Sequence, residues 1–276
     1  MRAAIIFSIL MLAMFLSGCI SLGGQKAIGV GLVVKSFRID PSTIEARNGQ
    51  KMYVTLEIQN NGGVQAKNIS ATLNLGEDFQ GGGDINIKPN TLAPANPALG
   101  IKEGEVAYGT ATITYNGGEK RSSISYPVLL RLTYDYSTVV EGLIKAVSPE
   151  YYRQTKEVGG IQQFTQTSGP IQAELVMPTT VIGGDSDIRI HLYLKDIGGG
   201  RSYVGDITEN LGKVEISGDC SGSYIIPPGG KALVTCSLLD RLQPGQLFST
   251  KSFKITISYS YFLDLHSSIT VLPSTS

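Results

Sequence analysis

Few side chains in this sequence are equipped for chemistry, and their spacing narrows the choice further. Its 276 residues include two His and three Cys. A Ser-His-Asp arrangement needs an imidazole oriented by a carboxylate and touching a nucleophile, and the only imidazoles are His191 and His266. His191 alternates onto the polar face of a strand pattern. His266 follows Asp264 at i+2, a spacing that places both on one strand face and reads as an ordinary surface pair. Gly218-Asp219-Cys220-Ser221-Gly222 faintly echoes a nucleophile loop but lacks the G-x-S-x-G elbow. Gly29-Val30-Gly31 lacks the third glycine and the following helix of a phosphate-binding loop. No catalytic residue and no cofactor is expected, and the chain reads as non-enzymatic.

For a metal, the best candidate is Asp185-Ser186-Asp187 after Gly183-Gly184, where two hard oxygens could meet calcium. The plainer reading is a turn whose Asp side chains bond their own backbone. Asn68-Ile69-Ser70 is a glycosylation sequon, a short match with a high chance rate. Lys and Arg together number 23, Asp and Glu 23, and only 17% of residues are charged. A nucleic-acid surface needs a clustered basic excess, so no nucleic-acid partner is expected.

The apolar residues concentrate at the start: Ala3 to Phe15 carry no charge and are followed by Leu16-Ser17-Gly18-Cys19. The run fits a secretory leader and is shorter than the roughly 20 residues that span a bilayer. The tetrad resembles the lipobox of prokaryotic lipoproteins. That resemblance implies cleavage after Gly18 and a lipid on Cys19, with residues 1–18 as signal peptide and 19–31 as a membrane-anchored tether. An uncleaved leader would itself serve as an N-terminal anchor, and either way the remainder is expected on the extracytoplasmic face of the membrane, at the cell surface or in the periplasm. Setting Cys19 aside leaves Cys220 and Cys236, an even pair in an exported chain, which reads as a disulfide.

The elements that must position these residues are strands. Period-two alternation recurs along the chain, with Met52, Val54, Leu56 and Ile58 set against Tyr53, Thr55, Glu57 and Gln59, and Ile188, Ile190, Leu192 and Leu194 against Arg189, His191, Tyr193 and Lys195. No helical spacing persists beyond a turn or two, so the fold class is all-β. Asn48-Gly49, Asn60-Asn61-Gly62-Gly63, Asn116-Gly117-Gly118 and Gly198-Gly199-Gly200 are read as hairpin turns. A weak repeat relates the two halves. Pro41 to Gly63 aligns with Pro178 to Gly199 at an offset of about 136, and Leu132 to Tyr136 with Ile257 to Tyr261 at a smaller one. Both copies carry Tyr-x-Tyr in what is read as the penultimate strand, which points first to shared core packing and second to an aromatic platform.

Val54 to Gln59, the turn Asn60-Asn61-Gly62-Gly63 and the return Ala66-Lys67-Asn68-Ile69 resemble CARDB-like and NEW3-like immunoglobulin-fold modules of prokaryotic surface proteins. Copy two departs from that pattern, with Asp196 and Ile197 where the Asn pair stands. The repeat gives two copies of one β module, at 32–153 and 170–276, and the polar stretch 154–169, with Gly159-Gly160 and Ser168-Gly169, reads as a linker that permits hinge motion; the resemblance implies that the module is an Ig-like antiparallel β-sandwich, so that two stand in tandem. It implies adhesion, surface architecture or spacing, with a surface protein or envelope polymer as partner besides membrane lipid at Cys19. The alternative is an accessory subunit of a membrane transporter or of a surface filament or pilus.

Overall fold

The computed structural model describes residues 30–176, 188–238 and 242–274. Its described strands, in chain order, are β1 (Leu32–Asp40), β2 (Thr43–Glu45), β3 (Gln50–Asn60), β4 (Lys67–Asn74), β5 (Phe79–Gln80), β6 (Gly83–Lys88), β7 (Val106–Tyr115) and β8 (Ile124–Val147) in the first half. The second half adds β9 (Gly160–Gln166), β10 (Ile171–Val176), β11 (Ile188–Asp196), β12 (Arg201–Tyr203), β13 (Lys213–Gly218), β14 (Gly222–Ile225), β15 (Lys231–Leu238) and β16 (Phe248–Leu272). Among the described residues the one α-helix, α1 (Pro149–Thr155), has seven residues and lies between the halves. Ser148 caps it by accepting from the Tyr151 amide at 3.0 Å, and Lys156 ends it in the left-handed conformation. Seven residues are too few to display a 3.6 period. The all-β class therefore holds.

Two strands dominate the architecture. β8 and β16 pair antiparallel in unbroken register from Ile124–Val271 to Val147–Phe248, a ribbon about 80 Å long at 3.3 Å per residue. Every second residue of β8 from Val128 to Val140 is buried, and so is every second residue of β16 from Phe253 to Leu265. Because the parity never changes, one face of the ribbon is covered along most of its length. The ribbon is a floor, and two smaller sheets lie side by side on it. The first cover is β1-β3-β7; the second is β10-β11-β15. β6 pairs with both β4 and β7 and so hydrogen-bonds the first cover to the floor. Residues of both covers and the floor join in one hydrophobic core.

The pairing order mixes the halves. Under the first cover lie β4, the first part of β8, the last part of β16, and β2, which pairs in parallel with Thr270–Leu272. Beside the second cover lie β13, the first part of β16, the last part of β8, and β9. Each long strand leaves its own half to complete the floor of the other. The stretch 154–169, read from sequence as a linker, holds the end of α1 and all of β9, paired to β8 from Val140 to Lys145. The ribbon itself joins the halves.

The four Asn- and Gly-rich turns are also corrected. None closes a hairpin: β3 pairs with β1 and β7, not β4, and β11 pairs with β10 and β15, not β12. Residues 61–66 and 197–200 arch from cover to floor, as do Asn48-Gly49 and Asn116-Gly117-Gly118. Asn and Gly favour any sharp reversal, so composition marks the turn without saying which layers it joins.

Candidate functional site: the tyrosine seam and the outer faces

At mid-ribbon, Tyr134 pairs with Tyr261 and Tyr136 with Tyr259, on either side of the Asp135–Ser260 pair. Since Tyr134 and Tyr136 correspond by the repeat to Tyr259 and Tyr261, an approximate two-fold axis passes through that pair. The four rings are buried, with neighbouring centroids 5.7 to 6.3 Å apart. They fill the seam between the covers, which places them in the core.

Each half meets the seam with the same device. In the first, the Asn60 side chain accepts from the Gly62 amide at 3.0 Å and donates to the carbonyls of Val64 and Leu92 at 2.8 and 2.9 Å. The Val64 amide then donates to Tyr136 Oη at 3.3 Å. In the second, Asp196 Oδ1 accepts from the Gly198 amide at 3.1 Å and from Tyr261 Oη at 2.6 Å, and the Gly200 amide donates to Tyr261 Oη at 2.9 Å. Residues 60, 62 and 64 thus map onto 196, 198 and 200. Both arches need glycine for close approach: a Cβ on Gly62 would lie 1.7 Å from Tyr136 Oη, and one on Gly198 2.5 Å from Tyr261 Oη.

The halves also bond to each other here. The Gly63 amide donates to the Ser168 carbonyl at 2.8 Å, and Tyr136 Oη donates to the same oxygen at 3.3 Å. Thr138 Oγ1 donates to the Ile171 carbonyl at 2.6 Å and lies 3.0 Å from Tyr259 Oη. Burial pushes the Tyr134, Tyr259 and Tyr261 phenols far above their ordinary range and raises that of Tyr136, since a phenolate loses its hydration. At physiological pH these hydroxyls are neutral struts. Burial likewise raises the Asp196 carboxyl, against the opposing pull of its bonds from Tyr261 and Gly198. The buried Asp196 Oδ2, Ser202 Oγ and Tyr134 Oη have no hydrogen-bond partner among the described residues.

The residues singled out from sequence are scattered around this seam. Cys220 and Cys236 form a disulfide with a Cα separation of 5.4 Å. It fastens the β13–β14 turn on the floor to β15 in the second cover. Cys19, Asp185 and Asp187 lie outside the described residues. Asn68 is exposed, but its Nδ2 donates to Asp135 Oδ2 at 2.7 Å. His191 sits on the outer side of the second cover with Nδ1 3.0 Å from Thr235 Oγ1. Asp264 does not orient His266; it takes two 2.7 Å hydrogen bonds from Arg131, whose guanidinium lies 4.5 Å from the Phe262 ring centre. Among the described residues no group of three or more His, Cys, Asp or Glu side chains is placed to hold a metal ion.

Sequence reasoning missed the arch-to-tyrosine link. Its signal was present as Asn60-x-Gly62 and Asp196-x-Gly198, each followed at long range by Tyr-x-Tyr. Two outer surfaces also stand out. The first cover exposes Tyr53, Thr55, Tyr108, Thr110 and Thr112 on one flat face, while the second exposes Arg189, Lys195 and Lys231 with Leu233. Between β9 and β10 runs a groove of about 520 Å³, lined by Phe164, Ala173, Leu175 and Ile197 with Lys195 at its edge.

No family model matches the chain, and no curated protein matches it significantly. Among solved structures it is similar to the collagen adhesin (CNA) from S. aureus, at 12% identity over 85% of each chain with a TM-score of 0.15. It is also similar to the secreted serine protease VesC from Vibrio cholerae, at 10% identity over 87% of this chain and 51% of that one, with a TM-score of 0.19. At such TM-scores the fold is argued from the strand pairing alone.

Proposed function

We propose that this chain is a lipid-anchored, extracytoplasmic protein of the cell envelope, non-enzymatic, whose two Ig-like halves act together as one stiff binding or spacing body. The observation that carries the reading is the unbroken β8–β16 ribbon, because a two-stranded floor crossing from one cover to the other, locked by the seam, resists bending between the halves. The leader and the Leu16-Ser17-Gly18-Cys19 tetrad support placement at a membrane. The disulfide suits an oxidising compartment.

The test is cell fractionation of wild type and Cys19→Ser. Wild type is expected as processed, detergent-extractable membrane protein, and the variant as released or unprocessed chain. A variant that still fractionates as processed membrane protein overturns the anchor. Cross-linking in intact cells then separates the roles: many surface proteins or envelope polymer support a binding or spacing body, whereas one stoichiometric integral-membrane partner supports an accessory subunit instead.

A further inference from the structure

The point at which the tether meets the fold has a geometric consequence. Gly31 is not at an end of the long body but at the seam: its carbonyl accepts from the Asn61 amide at 2.8 Å, and a Cβ on it would lie 2.8 Å from Pro170 Cδ and 3.6 Å from Tyr134 Oη. The ribbon extends about 40 Å to either side of that point. Eleven residues separate Cys19 from Gly31. Fully extended they reach about 40 Å. A body held by its middle on so short a tether stands on end only if the tether is stretched to its limit, so its long axis lies along the membrane.

Charge selects the surface that faces the lipid. On the outer side of the ribbon Arg131, Lys145 and Lys254 are each bound to a carboxylate, and Asp135 remains in excess. The second cover is the opposite. Lys195 stands directly across the ladder from Lys231, a like-charge pair that costs stability unless an anion lies nearby. Glu174, the one carboxylate on that outer face among the described residues, binds Lys231 and leaves Lys195 and Arg189 in excess. Lys195 neighbours Asp196 in the seam, close to the tether's point of entry. Around it are exposed Leu233 and Ile197 and the apolar groove behind Phe164 and Leu175. Cations set among apolar side chains suit the boundary between headgroups and acyl chains.

We propose that the outer face of the second cover, centred on Lys195 and Lys231, docks on the anionic headgroups of the membrane that holds the Cys19 lipid. The proposal rests on the anchored reading above. It is tested with the full-length lipidated protein added to vesicles of phosphatidylcholine alone or of phosphatidylcholine with phosphatidylglycerol, reading sedimentation and, by mass spectrometry, amine acylation at Lys195, Lys231 and Lys254. The expected result is sedimentation with both vesicles. With phosphatidylglycerol, acylation of Lys195 and Lys231 is expected to slow by about fivefold, to recover at high salt, and to leave Lys254 unchanged. Sedimentation with both vesicles and equal acylation at all three lysines overturns the docking face while the anchor stands. Sedimentation with neither overturns the anchor and the docking together. A Lys195→Gln variant changes one exposed side chain and keeps Lys231 as the reporter on the same face. It is expected to sediment like wild type, and phosphatidylglycerol is expected to slow acylation of its Lys231 clearly less than in wild type; undiminished protection of Lys231 overturns the role of Lys195.

Discussion

The two halves are variations on one arch, and where they differ is informative. In the first, Asn60 both accepts and donates, so its amide reaches the carbonyls of Val64 and Leu92 beside the small, buried Ala66. In the second, Asp196 stands at the Asn60 position and Ser202 at the Ala66 position. A carboxylate can only accept, and its second oxygen is left without a partner, as is Ser202 Oγ. The second half compensates elsewhere, with a direct Tyr261–Asp196 hydrogen bond and a disulfide that the first half does without. The first half closes its arch with an amide whose donors and acceptor are all used, and the second with a carboxylate held through one oxygen by the Gly198 amide and the Tyr261 hydroxyl. The arch geometry therefore survives a change of its first residue so long as the tyrosine still reaches it.

The sharpest way to break the comparison is to push the arches off the tyrosines. Gly62→Ala puts a methyl into Tyr136 Oη with the Gly31 backbone at 3.0 Å behind it, and is expected to lower unfolding free energy by about 3 kcal/mol. Gly198→Ala, whose added atom meets Tyr261 Oη and Pro170 at 2.5 Å, is expected to cost somewhat less. Denaturant melts check this, and Gly62→Ala/Tyr136→Phe should recover part of the loss, because the hydroxyl is what the methyl strikes. A double variant no better than the single one would show that the backbone, not the tyrosine, sets the arch.

Next in size is the disulfide. Its 16-residue separation closes a loop whose constraint on the unfolded chain amounts to about 3 kcal/mol at most. The informative readout is the shape of the transition for Cys220→Ser/Cys236→Ser. With each floor built partly from the other half's strand, the variant should unfold at lower denaturant in one step by both far-UV and tyrosine signals. Two separated steps would mean that the halves are independent after all.

How much of this was legible in the residues depends on what a period of two can report. The alternation of Met52, Val54, Leu56 and Ile58, and of Ile190, Leu192 and Leu194, correctly marked inward faces, and Ala232, Val234, Cys236 and Leu238 are all buried as their spacing requires. The same pattern runs through β8 and β16 without interruption, and an unbroken alternation announces a strand without naming its partners. Strand exchange between the halves was therefore invisible, although Tyr134 to Tyr136 and Tyr259 to Tyr261 carried its symmetry. The reading of these tyrosines as core was right in kind and misplaced in position, since β16 is the final described strand.

A gentler comparison removes one hydroxyl at a time. Tyr136→Phe loses two long hydrogen bonds of 3.3 Å and is expected to cost about 1 kcal/mol. Tyr261→Phe removes a 2.6 Å bond to a buried carboxylate and a 2.9 Å bond from Gly200, and is expected to cost about 2 kcal/mol at neutral pH. Thermal melts of the two variants side by side test the order. If Tyr136→Phe proved the more damaging, the second arch would be held by something other than Asp196.

The smallest effect, and the most specific, concerns pH. Burial raises the Asp196 carboxyl above its ordinary value of 3.8, so the folded chain holds that proton more tightly than the unfolded chain does. A group of this kind contributes most below the unfolded value, and its contribution is lost as pH rises through the raised folded value. Asp196→Asn gives the second arch the residue type of the first and removes the titration. At neutral pH the change in stability is expected to be within about 1 kcal/mol, because an amide replaces a poorly solvated anion but must find acceptors for its own protons. The difference between variant and wild type should nevertheless move in the variant's favour as pH rises from about 3 through the raised carboxyl value, and then level off. Other carboxylates cancel in that difference, so melting curves that stay parallel between about pH 3 and about pH 7 would show that Asp196 is hydrated in both states and that the two arches differ in sequence alone.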